Sequence, residues 1–211
     1  MTTWIVVSLV ALAGLLVAEA KNSQLGKWLT KPIASTGFLM VAYTAGAFQT
    51  QYGIAVFVAL VLSWFGDVFL IPHSRKSFLF GLISFLLGHV GYCVAFAMYS
   101  FNTLWAGVTF AIALVIGLVV GKWLKPHTGD NMWKPVIAYI VVISVMVVTA
   151  VAAYPGTQIY WIPVGAILFY LSDLSVARNR FIKEAFYNRL WGLPFYYVGQ
   201  LILAYTCSLV S

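Results

Sequence analysis

Two aspartates lie in apolar runs that hold no other charge: Asp67 within residues 59–70 and Asp173 within residues 166–174. A carboxylate at the centre of a membrane helix costs about 2.5–3.5 kcal/mol on insertion scales, so it is rarely placed there without a task. The 211-residue chain has five acidic residues in all, and two of them are placed this way. A carboxylate pair in a low-dielectric site suits general acid–base hydrolysis. One carboxyl, raised in pKa by burial and by its charged neighbour, donates a proton, while the other stays ionised and activates water. Such a pair acts on acid-labile ethers and acetals, whose protonation gives an oxocarbenium-like cation that a nearby carboxylate stabilises. Other chemistries lack their parts. The chain has no Gly-x-Ser-x-Gly elbow, no triad signature, no His-Glu-x-x-His, no cysteine–histidine cluster with zinc spacing and no P-loop. Two aspartates are too few for a dedicated divalent-metal site, so neither a metal nor a cofactor is expected.

The elements that must hold these groups are membrane helices. The composition, 63% hydrophobic and 8% charged, lies far from that of a soluble domain. Eight apolar stretches of spanning length occur at about 3–20, 32–49, 53–71, 78–99, 103–121, 134–153, 159–177 and 190–210. The first is read as a helix and not a cleaved leader, although Ala18-Glu19-Ala20 mimics a cleavage site, because nothing basic precedes Lys21. All twelve lysines and arginines fall between spans one and two, three and four, five and six, or seven and eight. By the positive-inside rule those connections are cytoplasmic and both termini lie outside. The net charge of +7 is therefore topological, and no nucleic-acid partner is implied. Cys93 and Cys207 lie in apolar spans and are read as small buried thiols.

The halves echo each other. Lys31-Pro32 and Lys134-Pro135, Asp67 and Asp173, Gly81 and Gly192, and Gly88-His89 and Gly199-Gln200 recur in the same order. The expected fold is thus an all-α membrane protein, one domain over residues 1–211. Its eight transmembrane helices form two parallel-oriented four-helix repeats, about 1–100 and 103–211. At 1.5 Å per residue the aspartates lie roughly 6 Å inside the cytoplasmic boundary, and His89 and Gln200 roughly 15 Å inside. Ser63 shares a helix face with Asp67, and Tyr92 shares one with His89. The result is a polar funnel with Asp67 and Asp173 as the catalytic pair and Ser63, His89, Tyr92, Ser172 and Gln200 as orienting groups. Lys31, Arg178 and Arg180 sit at its rim for an anion such as phosphate. Structural roles stay open beside these: an interior histidine, serines bonded back to helix carbonyls, and aspartates paired with Lys31 or an arginine.

Depth favours a lysophospholipid substrate drawn from the surrounding membrane lipid. The first bond below its glycerol lies at the level of the aspartates, with the phosphate at the basic rim. The same residues carry a family resemblance. The segments 62–67, 80–82, 88–89, 171–173, 177–181 and 196–200, together with Lys31-Pro32, resemble the YhhN family of membrane lysoplasmalogenases over nearly the full length. The resemblance implies hydrolysis of the vinyl ether bond of lysoplasmalogen to a fatty aldehyde and a glycerophospho-base, with the acidic pair at Asp67 and Asp173. The expected location is a bacterial inner (plasma) membrane, with the site opening to the cytoplasmic side. Two other classes remain open on sequence: a proton-coupled transporter of a lipid or small molecule, and a non-enzymatic lipid-binding membrane protein.

Overall fold

The computed structural model describes residues 1–99 and 101–210. Every regular element among them is helical. The order is α1 (Thr2–Ala20), α2 (Gln24–Thr44), a 3-10 turn (Ala47–Gln49), α3 (Gln51–Phe69), α4 (Arg75–Phe96), α5 (Thr103–Thr157) and α6 (Trp161–Ala177). A π-helical turn (Arg178–Ile182), α7 (Phe186–Tyr205) and a 3-10 turn (Thr206–Ser208) complete the chain. Helices satisfy backbone polar groups within one segment, which hydrocarbon demands. Four of them are long and apolar enough to cross a membrane: α1, α3, α4 and α5. Short polar residues start several. Ser23 accepts from Gly26 N, Thr50 from Gly53 N, Ser74 from Ser77 N and Asn102 from Trp105 N. The outward faces are apolar, with Val10, Phe80, Val94, Leu118 and Val119 all exposed, as a lipid-facing surface requires.

Among the described residues seven α-helices stand where eight stretches are expected, because the fifth and sixth stretches belong to one element. A straight 55-residue helix would run roughly 80 Å, more than twice the hydrocarbon thickness. It does not run straight. Gly129 leaves the helical region at φ 59°, ψ 156°, a conformation that favours glycine, and the chain folds there. Gly117 on one limb then lies against Ile140 on the other, and Gly121 against Ile137 and Trp133. The stretches 103–121 and 134–153 fall in the two limbs.

The second apolar stretch begins at residue 32, but the helix that holds it, α2, begins at Gln24, and Lys27 and Lys31 are buried in it and not exposed in a connection. The physical reason is pairing. Lys27 Nζ lies 3.2 Å from Glu19 and Lys31 Nζ lies 3.1 Å from Asp67, so each ammonium has a counter-charge inside the bundle. Lys122, Lys125 and Lys134 lie in α5 on either side of the fold at Gly129.

Helices α3 and α4 pack as a tight pair, as do α6 and α7. The close approaches are at glycines. A methyl group on Gly81 would meet Leu70 and the Gly66 carbonyl, and one on Gly192 would meet Ser175 and the Ser172 carbonyl. In each case the carbonyl belongs to the residue before an aspartate, so these contacts set the depth at which Asp67 and Asp173 sit. Gly192→Ala is expected to overlap Ser175 and to destabilise the fold by about 1–3 kcal/mol. Thermal unfolding in detergent, read by tryptophan fluorescence, should show the loss. The second change Ser175→Gly should recover much of it; a full-stability Gly192→Ala protein would contradict the packing.

Candidate active site

Asp67 is placed near the end of α3 by the Gly66–Gly81 approach and is 2% exposed. Both of its oxygens are occupied. Oδ1 lies 3.1 Å from Lys31 Nζ, and Oδ2 accepts from Ser35 Oγ at 2.6 Å and from Tyr196 Oη at 2.7 Å. Lys31 also donates to the Asp67 main-chain carbonyl at 3.2 Å. Ser35 follows Lys31 by one helical turn on α2, so one face of that helix supplies both. Tyr196 comes from α7, far away in sequence. Asp67 thus has a cation on one oxygen and two hydroxyl donors on the other.

Asp173 is held differently. It lies four residues from the end of α6, and its side chain keeps 15% of its exposure. Tyr139 Oη, on the second limb of α5, donates to Oδ2 at 2.6 Å. His89 Nε2, on α4, lies 3.3 Å from the same oxygen and 2.9 Å from the Tyr139 hydroxyl. His89 is fully buried, with Nδ1 3.3 Å from the Met146 sulfur. Among the described residues no hydrogen bond reaches Asp173 Oδ1. No lysine or arginine pairs with this carboxylate there. A neutral imidazole with its hydrogen on Nε2 donates to this oxygen, so a histidine, a phenol and a carboxylate stand within hydrogen-bond reach of one another.

Both aspartates line one cavity with about 960 Å³ of empty space, its open mouth included. Its walls are mainly apolar, among them Phe78, Leu82, Phe85, Leu124, Ile143 and Leu193. The two carboxylate clusters are joined by packed aromatic rings. Tyr196, bonded to Asp67, stacks edge-on to Phe169 at 5.4 Å, and Phe169 lies 4.5 Å from the His89 ring.

The other expected site residues divide. Ser172 lines the cavity, although its hydroxyl bonds back to the Phe169 carbonyl. Lys31 lines it too, but as the partner of Asp67 and not as a rim cation. Ser63 bonds back to the Ala59 carbonyl, against Gly88, away from the cavity. Tyr92 donates to Gln200 Oε1 at 2.6 Å, and this buried pair is not part of the cavity lining. Arg178 is held by Asn188 at 2.6 Å, and Arg180 lies over the Phe78 ring at 4.5 Å. Ser35, Tyr139 and Tyr196 were not expected at the carboxylates. Their signals, a serine one turn after Lys31 and tyrosines in apolar helices, are too common to single out. Among the described residues no group of three or more His, Cys, Asp or Glu side chains is placed to hold a metal ion.

Removing one partner of the buried pair leaves a bare charge, at a cost of about 3–5 kcal/mol. Lys31→Met is therefore expected to destabilise the protein strongly, and Lys31→Met with Asp67→Asn to be far more stable than Lys31→Met alone. A double-variant cycle of unfolding temperatures tests this; additive losses would mean that the pair is not coupled.

Comparison with known proteins places the chain. A lysoplasmalogenase of Mycobacterium tuberculosis is 38% identical over 142 residues, covering 63% of this chain and 53% of that protein. The human lysoplasmalogenase TMEM86A is 31% identical over 183 residues, covering 84% of this chain and 71% of its own length. The rat lysoplasmalogenase TMEM86B is 30% identical over 145 residues, 69% of this chain and 58% of that protein. The chain spans about half the length of the mycobacterial relative it matches. No solved structure matches it. The YhhN family pattern covers residues 26–207, which takes in both aspartates and every residue bonded to them, and the chain belongs to the YhhN family.

Proposed function

We propose that this chain is a membrane hydrolase that cleaves the vinyl ether bond of lysoplasmalogen, releasing a fatty aldehyde and a glycerophospho-base. The observation that carries the reading is a single, largely apolar cavity lined by two carboxylates in unlike surroundings, one paired with Lys31 and one beside His89 and Tyr139. The relatives' names supply the substrate class.

In this reading the two aspartates take different roles, which their unlike surroundings support. Asp173, with His89 and Tyr139, is the acid. It delivers a proton to the vinyl carbon remote from the ether oxygen, and the electron pair of the double bond forms the new C–H bond. The oxocarbenium ion left behind takes up water, which Asp173, now a carboxylate, deprotonates. The resulting hemiacetal breaks its C–O bond to the glycerol, giving aldehyde and alcohol. Asp67 stays ionised throughout, because Lys31 and two hydroxyl donors stabilise its charge, and it opposes the positive charge of the intermediate. No cofactor enters this scheme.

The seven helices, with α5 folded at Gly129, are read as eight spans in two four-helix repeats within one domain, 1–211. The matched glycine approaches beside Asp67 and Asp173 support that reading. With the basic residues inside, both termini lie outside and the cavity opens toward the cytoplasmic face of an inner (plasma) membrane, bacterial as in the mycobacterial relative.

Aldehyde release from lysoplasmalogen by the reconstituted protein tests the proposal. Asp173→Asn should lower the rate by about 10²–10⁴ with unfolding unchanged. The paired variant Asp67→Asn with Lys31→Met, which leaves no bare charge, should fold and also lose rate. Full activity in both variants would remove the carboxylates from the mechanism. Substrate flux without aldehyde would make the protein a carrier.

A further inference from the structure

A second cavity opens beside the first, and the two share Leu70, Phe78, Val176, Phe181 and Arg189 in their walls. The second is polar, with about 690 Å³ of empty space, its mouth included. His73, Arg180 and Lys183 line it against a single acid, Glu184.

Arg189 is the group at the junction. Its side chain is 20% exposed, and its only ionic contact among the described residues is Nε at 3.9 Å from Glu19 Oε2. Glu19 already has a closer partner in Lys27, at 3.2 Å. One carboxylate thus faces two cations, and the excess charge sits on a guanidinium whose donors make no hydrogen bond among the described residues. Of the neighbouring arginines, Arg178 donates to Asn188, while Arg180 is exposed and rests its face on the Phe78 ring, outside the apolar cavity's lining. A largely buried, planar fork of N–H donors without acceptors fits a tetrahedral oxyanion, which guanidinium binds through two parallel bonds.

We infer that Arg189 is the phosphate ligand of the substrate, and that the polar cavity receives the headgroup while the acyl or alkenyl chain lies in the apolar one. This rests on the lysophospholipid reading above and names the subsite which that reading leaves open. In a lysoplasmalogen only a few bonds separate the phosphate from the vinyl ether. A phosphate at Arg189 therefore sets the ether in the same cavity as Asp67 and Asp173. Lys31 is unavailable for this task, since its ammonium is spent on Asp67.

The test uses binding and not turnover, so that it stands apart from the hydrolase reading. Two non-hydrolysable probes are titrated into the detergent-solubilised protein, alkylglycerophosphoethanolamine and alkylglycerol, with tryptophan fluorescence as the signal. The wild type should prefer the phosphate-bearing probe. Arg189→Gln should weaken that probe by about tenfold or more and collapse the preference, and Arg189→Lys should restore part of it. Equal weakening of both probes would make Arg189 structural, and an undiminished preference would place the phosphate elsewhere; either overturns the inference. A wild type that shows the preference yet releases no aldehyde would sink the hydrolase and leave the headgroup site standing.

Discussion

A charge buried in an apolar bundle has to be neutralised where it stands, and the Lys31–Asp67 pair does this at 3.1 Å. Much of the site follows from it. The pair brings α2 against α3, and the two further donors to Asp67 Oδ2, Ser35 and Tyr196, come from α2 and α7. Three helices therefore converge on one carboxylate group. Glu19 and Lys27 tie α1 to α2 in the same manner one turn away. These pairs contribute little net stability against an apolar substitute, but each fixes which helix faces which, since a slip of either partner would leave an unpaired charge.

The two aspartates began as equivalents and are not equivalent in their surroundings. Asp67 has a cation and no vacant oxygen. Asp173 has an imidazole, a phenol and one oxygen that no described residue reaches. A cation on one carboxylate and an imidazole with a phenol on the other are the kind of unlike surroundings that separate the acid–base behaviour of two like groups. The aromatic column of Tyr196, Phe169 and His89 links the two environments.

The legible parts of the sequence were those with a local physical cause. Asp67 and Asp173 stand out because charge in an apolar run is costly wherever the helix is placed. The break at Gly129 was visible from its turn-like neighbours, Pro126 to Asp130. The lysines were misplaced for an equally local reason. A lysine at the edge of an apolar run reads as a water-facing flank, and only the partner across the bundle reveals Lys27 and Lys31 as interior. Tyr139 and Tyr196 were invisible because a tyrosine in a membrane helix is ordinary until its hydroxyl is seen to meet a carboxylate. Arg178 looked available for phosphate, and Asn188 holds it instead.

By itself the sequence determined the all-helical membrane class, the order of the apolar stretches, the two costly carboxylates and their depth along their helices. Each of these depends on hydrophobicity and rise per residue, which are properties of a single segment. Only the tertiary structure decided which carboxylate carries a cation and which sits beside an imidazole and a phenol, and that both border one cavity. Those outcomes depend on the lateral packing and rotation of helices about one another, and contacts between residues on different helices leave no mark on the period of any one helix.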